Sequence, residues 1–159
     1  IFDKEIWITE WNLQIAKKTS NTMFQALYVA QYFLELMSNK KLMNITLTTY
    51  HNLGGRDYGG SVFRNNKEKF EIQSPYNSLL LLSKIFEKNI TIIKKKQEDK
   101  KYYYQCYNNN GKKLITYVID WQEYSLTLIG ENILKFYSNN LYDKAYPEGI
   151  LYMKNNEIN

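Results

Sequence analysis

Hydrophobic and polar positions follow two different periods in this chain, and the period changes near residue 88. Before that point, short apolar runs alternate with longer segments whose apolar residues recur at helical spacing. The run Ile6–Ile8 predicts a strand covered on both faces, because it is continuous, β-branched and aromatic. A second strand is predicted at about Ile45–Thr49, with a helix at Asn21–Ser38 between the two. A second helix is predicted from Ser74 to about Glu87.

The first part of the chain therefore alternates strand, helix, strand, helix, which is typical of βα units with parallel strands. Ser74-Pro75 is a start signal for the second helix, with serine as N-cap and proline at the first helical position. The polar segment Gly54–Gln73 is interpreted as a long loop, and loops of this length are often functional.

After residue 88 the apolar residues alternate in short runs, as in strands with one buried face. Asn110-Gly111 is a strong hairpin signal between two of these runs. The predicted strands are Asn89–Lys95, Lys101–Tyr107, Lys113–Asp120, Tyr124–Ile129, Ile133–Tyr137 and Ile150–Met153. This spacing predicts an antiparallel sheet or sandwich. We therefore predict two tightly packed domains, residues 1–88 and residues 89–159.

Length and charge limit the possible functions. With 159 residues, the chain is shorter than the ~250 residues of a complete (β/α)8 barrel, so any barrel elements belong to an incomplete barrel. No apolar run approaches the ~18 residues that cross a bilayer, so we expect no membrane span. The net charge is +5, but the lysines form short runs and no nucleic-acid-binding motif is present. Nucleic-acid binding is therefore the last-ranked alternative, and no nucleic-acid partner is expected.

The cysteine and histidine content argues against a metal site. The single cysteine, Cys106, excludes an internal disulfide and is compatible with any compartment. With His51 as the single histidine, the sequence also argues against a zinc site built from Cys and His. We expect neither a metal nor a cofactor.

Glu10 is the strongest candidate for chemistry. It stands where the first predicted strand ends, and in barrels the catalytic residues gather at the carboxyl ends of the strands. Trp11 and Asn12 follow it and supply an aromatic face and an amide, both useful in a sugar site. The competing interpretation is a surface glutamate without a function.

The stretch Ile6–Asn12, Ile-Trp-Ile-Thr-Glu-Trp-Asn, resembles the seventh barrel strand of clan A retaining glycoside hydrolases. α-L-Arabinofuranosidases, β-xylosidases and heparanase-like β-glucuronidases are the most similar in style. In these enzymes the glutamate before an aromatic residue in that strand is the nucleophile, so the resemblance implies this role for Glu10. The helix around Ala26–Ala30 is similar to the next helix, and Ile45–Asn52 is similar to strand eight, which leads into a His-containing loop with glycines. Ser74–Phe86 would be the eighth helix.

The resemblance implies the last two βα units of a TIM-type barrel in residues 1–88, strand seven to helix eight. A C-terminal antiparallel β-sandwich in residues 89–159 would follow, giving an α/β part followed by an all-β part. It implies a carbohydrate substrate and a covalent glycosyl-enzyme on Glu10. The acid/base glutamate would lie outside this chain, in the missing N-terminal barrel portion or a partner chain. The segment alone is then expected to be inactive.

The other candidate substrate-binding residues follow the two strands, and each has a structural alternative. They are Trp11, Asn12, Tyr50, His51 and Arg56. Tyr50 is also explained by core packing, His51 by loop hydrogen bonds, and Arg56 by an ion pair with Asp57. For the whole chain, the alternative is a non-catalytic carbohydrate-binding or accessory domain. Six further βα units upstream in the natural gene would favour the enzyme.

Overall fold

A computed structural model describes residues 3–13, 16, 18–55, 60–66, 69–143 and 150–154 of the chain. Its elements are, in chain order, β1 (Ile6–Trp11), α1 (Met23–Asn39), β2 (Ile45–Tyr50), β3 (Gly54–Gly55), β4 (Phe63–Asn66), β5 (Lys69–Ile72), α2 (Ser74–Leu82), α3 (Lys84–Glu87), β6 (Ile92–Glu98), β7 (Lys101–Tyr107), β8 (Lys113–Asp120), β9 (Ser125–Ile129), β10 (Asn132–Tyr137) and β11 (Ile150–Lys154). Among the described helices, none is long and apolar enough to cross a membrane.

The strands β1 and β2 pair in parallel and form a sheet of their own. Ile6 lies opposite Ile45, and Trp11 lies opposite Tyr50 at the other end of the pair. The apolar, β-branched residues predicted both strands. The helix between them predicted their parallel direction, because it carries the chain back so that both strands start at the same end of the sheet. The predicted parallel pairing is confirmed.

The predicted fold class is nevertheless wrong. In the described residues β1 and β2 have no third parallel strand beside them, and a small separate sheet follows β2 before the next helix. There is thus no βα repeat, and two parallel strands cannot close into a barrel, which needs about eight. The apolar pattern indicated each element correctly, but it contains no information on how many strands share a sheet.

The predicted β-sandwich is wrong as well, because the last part of the described chain forms one sheet. Its six strands run in the order β11-β10-β9-β8-β7-β6, so each strand pairs antiparallel with its neighbour in the chain. Helices α1 and α2, rather than a second sheet, pack on it. The predicted Asn110-Gly111 hairpin joins β7 and β8, and Gly111 has a φ of 74° that suits glycine.

The long loop predicted at Gly54–Gln73 contains three short strands, β3 to β5, in the part that is described. Phe63 pairs with Ile72 and Asn66 with Lys69 in an antiparallel hairpin. These strands are only two to four residues long, so the alternation of apolar and polar residues is too brief to reveal them.

The helix start predicted at Ser74-Pro75 is shifted by one residue, and the helix is shorter than expected. Gln73 is the N-cap, and the helix breaks at Ser83 into α2 and α3. The Ser74 hydroxyl donates to the Asn21 side-chain oxygen at 3.0 Å, and the Ser74 backbone N–H donates to the same oxygen at 2.8 Å. Ser74 therefore links the start of α2 to Asn21, just before α1, instead of capping its own helix.

Helix α1 is the centre of the molecule. Its buried residues surround much of the helix circumference: Met23, Gln25, Ala26, Leu27, Val29, Ala30, Phe33 and Leu34. They belong to one core cluster that also contains Trp11 of β1, Leu81 of α2 and Phe136 of β10. The core therefore includes residues from both predicted domains, and the division into residues 1–88 and 89–159 stays a prediction.

Polar side chains at this core have specific partners. The buried hydroxyl of Tyr104 donates to Glu35 Oε1 at 2.6 Å, and Lys95 Nζ lies 2.6 Å from the same oxygen. The Tyr117 hydroxyl donates to the Leu81 carbonyl at 2.8 Å. Burial raises the pKa of both tyrosines well above its usual value, so both remain neutral donors. These bonds fix how the helices sit on the antiparallel sheet.

The edge strand β6 carries three consecutive exposed lysines, Lys94, Lys95 and Lys96. One of its edges pairs with β7, and no other described strand pairs with it. Lysines on an edge strand discourage pairing with another chain, because their charges would lose water.

The buried carboxylate of Asp120 provides a test of this packing. Its side chain is 4% exposed, and Lys101 Nζ lies 2.8 Å from it. Burial by itself would raise the pKa of Asp120, but the bonds from Lys101 and from the backbone N–H groups of Gln122 and Glu123 outweigh burial and lower it. A lowered folded-state pKa gives stability above the unfolded value of about 3.9, lost as pH falls through the folded value.

We expect Asp120→Asn to lower the free energy of unfolding by about 1.5–3 kcal/mol at pH 7, because it removes charge-assisted hydrogen bonds in a buried place. The difference from the wild type should shrink as pH falls below about 4, where Asp120 itself becomes protonated. Urea denaturation across this range measures it, with the exposed Glu98→Gln as control. A difference that does not change with pH would contradict the assignment.

Candidate functional site

The carboxyl ends of β1 and β2 bring Glu10 and His51 together. Because the two strands are parallel, the residues that end them lie at the same edge of the sheet, and the register of the pair shifts between Ile8 and Trp11. His51 Nε2 is 3.3 Å from Glu10 Oε1. The Glu10 side chain is 66% exposed, so it is accessible from solvent. Two residues that are 41 positions apart in the sequence thus form one acid–imidazole pair.

Backbone bonds hold this pair in place. The His51 N–H donates to the Trp11 carbonyl at 3.0 Å, which continues the β1–β2 pairing past the end of β2. The hydroxyl of Thr49 donates to the Thr9 carbonyl on the neighbouring strand. These bonds hold the ends of β1 and β2 together next to the register shift between Ile8 and Trp11, where Glu10 lies.

Asn12 connects the strand end to the loop that follows β2. Its side-chain amide donates to the carbonyl of His51 and, at 2.9 Å, to the carbonyl of Gly60. Its side-chain oxygen accepts from the Leu13 N–H at 2.6 Å. These contacts occupy the donors of the amide, so they indicate that Asn12 positions the loop beside the cleft.

Trp11 and Tyr50 pack against each other beside the Glu10–His51 pair. Trp11 is only 6% exposed and meets Tyr50 edge-on with the ring centroids 5.1 Å apart. The Tyr50 hydroxyl donates to the Gly60 carbonyl, which also accepts from Asn12. The structure therefore places Trp11 in the wall of the cleft and Tyr50 behind it.

The cleft itself is open and measures about 450 Å³. The described residues that line it are Glu10, Trp11, Asn12, Leu13, Tyr28, Tyr32 and His51. Sequence reasoning missed Leu13, Tyr28 and Tyr32. The two tyrosines are four residues apart on the helix that joins β1 to β2, which puts them on one helix face. From the sequence, this four-residue spacing could have indicated the two tyrosines, because neither belongs to the apolar stripe of the helix.

Arg56, the remaining predicted substrate-binding residue, lies outside the described residues, as does Asp57. The described lining has one carboxylate, one imidazole and no lysine or arginine. Among the described residues, no group of three or more His, Cys, Asp or Glu side chains could hold a metal ion. The chemistry of this cleft therefore depends on Glu10, His51 and aromatic surface.

Comparison with known proteins adds no family to this geometry. No family model, no curated protein and no solved structure matches the chain. The resemblance of Ile6–Asn12 to a glycoside hydrolase strand therefore supports a proposal and does not establish membership.

We expect Asn12→Ala to loosen the loop that carries His51 and to lower the free energy of unfolding by about 1–2 kcal/mol, since two donated hydrogen bonds are lost. His51 is the single histidine, so its imidazole proton signals can be assigned in an NMR spectrum without ambiguity. These signals should shift in Asn12→Ala. The exposed hairpin variant Asn110→Ala is the control and should leave them in place. Unchanged signals in Asn12→Ala would show that His51 is held by other contacts.

Proposed function

We propose that this cleft binds a carbohydrate and that Glu10 is the nucleophile of a retaining glycosidase. The observation that carries the proposal is the exposed Glu10 carboxylate at the carboxyl end of β1, 3.3 Å from His51, in an open cleft with aromatic walls. Sugar sites combine apolar faces for the ring with a few polar groups for the hydroxyls. The sequence resemblance of Ile6–Asn12 supports the same role.

The reaction proceeds in two displacements. A Glu10 oxygen attacks the anomeric carbon, the bond from that carbon to the leaving-group oxygen breaks, and a second carboxylic acid protonates that oxygen. The same second group then takes a proton from water, whose oxygen displaces Glu10 and releases the sugar. His51 orients the Glu10 carboxylate when its Nε2 carries the proton. Retention requires the two carboxyl groups to be ~5–5.5 Å apart.

The second carboxyl group is proposed to come from outside this chain. Glu10 is the one carboxylate in the described lining of the cleft. We propose that further polypeptide, from a longer natural chain or from a partner chain, covers the β1–β2 sheet and supplies this group. The exposed face of that sheet supports this: Trp7 is 64% exposed, and Leu47 lies opposite it on β2. Parallel strands are nearly always covered on both faces.

A charged residue placed on the exposed face of the β1–β2 sheet tests whether further polypeptide covers that face. In the full-length protein we expect Trp7→Lys to lower the free energy of unfolding by about 3 kcal/mol or more, because it removes a buried aromatic ring and leaves a charge in its place. Phe70→Lys is the control, since Phe70 is 71% exposed on β5 and its replacement should cost only about 0.5 kcal/mol. Chemical denaturation of both variants measures the difference. Equal effects would indicate that the Trp7 face is open to solvent.

The single carboxylate of the described lining also favours a second function, binding of carbohydrate without catalysis. In this alternative Glu10 and His51 accept and donate hydrogen bonds to sugar hydroxyls. The two functions differ in one respect: only the enzyme forms a covalent bond between Glu10 and the sugar.

The decisive experiment is Glu10→Ala in the full-length protein, assayed on aryl glycosides with and without azide. We expect turnover to fall by several orders of magnitude, because the covalent route is lost. Azide should restore release of the aryl group by attacking the anomeric carbon from the vacated face, and the glycosyl azide should have the opposite anomeric configuration. Glu5→Ala changes a glutamate just before the other end of β1 and should leave turnover unchanged.

Two results would overturn the proposal that Glu10 is the nucleophile. Turnover of Glu10→Ala equal to that of the wild type would exclude the role for Glu10. A full-length protein that binds saccharides at the cleft but cleaves no glycoside would establish the binding function instead.

A further inference from the structure

We infer that Tyr28 and Tyr32 of α1 form a wall that binds a neutral sugar ring next to Glu10. The inference rests on the proposed function, since it names the part of the cleft that holds the carbohydrate and the kind of sugar that fits. The pair formed by these two residues is called the tyrosine wall below.

The tyrosine wall is built before any ligand arrives. The two rings are stacked, with centroids 5.9 Å apart and an interplanar angle of 9°. Tyr32 also lies 5.3 Å from the ring of Trp11, which is buried. Both side chains project from the same long helix, whose opposite side is packed in the core. A wall fixed in this way loses little conformational entropy on binding.

The chemistry of the tyrosine wall suits a sugar ring. Aromatic rings provide the apolar surface against which the C–H face of a sugar packs, and phenol hydroxyls both donate and accept hydrogen bonds. Neither hydroxyl of the pair has a hydrogen-bond partner among the described residues. Both side chains line the same cleft as Glu10 and His51. A ring resting on the wall would therefore lie beside the carboxylate.

The charges of the described lining favour a neutral sugar. Glu10 is the carboxylate of this lining, and no lysine or arginine accompanies it. Within the described lining, a uronic acid would place a second negative charge near Glu10 with no lysine or arginine to offset it, and like charges at short range repel. Neutral hexose or pentose rings meet no such repulsion.

The test uses the full-length protein and three substitutions. Tyr32→Ala removes the ring, Tyr32→Phe keeps the ring but removes the hydroxyl, and Tyr142→Ala is the matched control. Tyr142 stacks on Phe24, one helical turn before Tyr28, with an interplanar angle of 15°. Neither residue belongs to the described lining of the cleft, so the loss of Tyr142 removes a similar aromatic pair outside that lining.

The substrates are 4-nitrophenyl glycosides of a neutral hexose, a neutral pentose and glucuronic acid. Tyr32→Ala should raise KM for the neutral glycosides about tenfold, with kcat changed much less, because the wall contributes to binding. Tyr32→Phe should raise KM about threefold or less, and Tyr142→Ala should match the wild type. Wild-type kcat/KM should be higher for the neutral glycosides than for the glucuronide.

Failure of this inference can be separated from failure of the proposed function. Suppose that Glu10→Ala abolishes turnover but Tyr32→Ala has the same KM as Tyr142→Ala. The tyrosine wall then does not bind the sugar, whereas the proposal that Glu10 is the nucleophile is unaffected. A higher wild-type kcat/KM for the glucuronide than for the neutral glycosides would overturn the inference that the cleft binds a neutral sugar. If the parent cleaves none of the glycosides, NMR titration with a neutral disaccharide replaces kinetics. Binding that Tyr32→Ala weakens supports the wall, and no binding by the parent overturns it.

Discussion

Burial of helix α1 is the constraint on which the rest of the structure depends. One end of β1 contacts it through Trp11, and α2 packs along it. The antiparallel sheet contacts it through Tyr104 of β7, and Trp121, which directly follows β8, bonds to it as well. A helix in contact with so many elements must be apolar over most of its surface, and its polar residues must find partners. Gln31 accepts from the Trp121 indole at 2.6 Å, and Glu35 accepts from Tyr104. This helix also makes the cleft rigid, because Tyr28 and Tyr32, which line the cleft, lie on it.

Sequence patterns identified the elements of this fold better than their assembly. The helix expected at Asn21–Ser38 is observed at Met23–Asn39, and the parallel direction of the first two strands was correct. The error arose at the level of the sheet, where the apolar runs of β1 and β2 were interpreted as part of a barrel. An apolar strand requires a covered face, but its sequence does not say what covers it.

The same distinction applies to the candidate site. Glu10 and His51 each follow a predicted strand, so parallel pairing was enough to place them together. Tyr28 and Tyr32 could not be placed in this way, because the direction of a helix face depends on which element the helix packs against. The roles of Asn12 and Ser74 depend on hydrogen bonds to residues 39 to 53 positions away, and no local pattern specifies such partners.

The parallel β1–β2 sheet and the six-stranded antiparallel sheet differ in how their edges are protected, and this difference bears on self-association. β6 ends the antiparallel sheet with Lys94, Lys95 and Lys96, so another strand could add there only by removing water from ammonium groups. β2 carries Thr46, Leu47, Thr48 and Thr49, with no charge among them. Its β-branched residues suit strand addition, and in the described chain only β1 pairs with it. Of these two edges, β2 is the one at which a second chain would add a strand, so early self-association of this protein is expected through β2 rather than through β6.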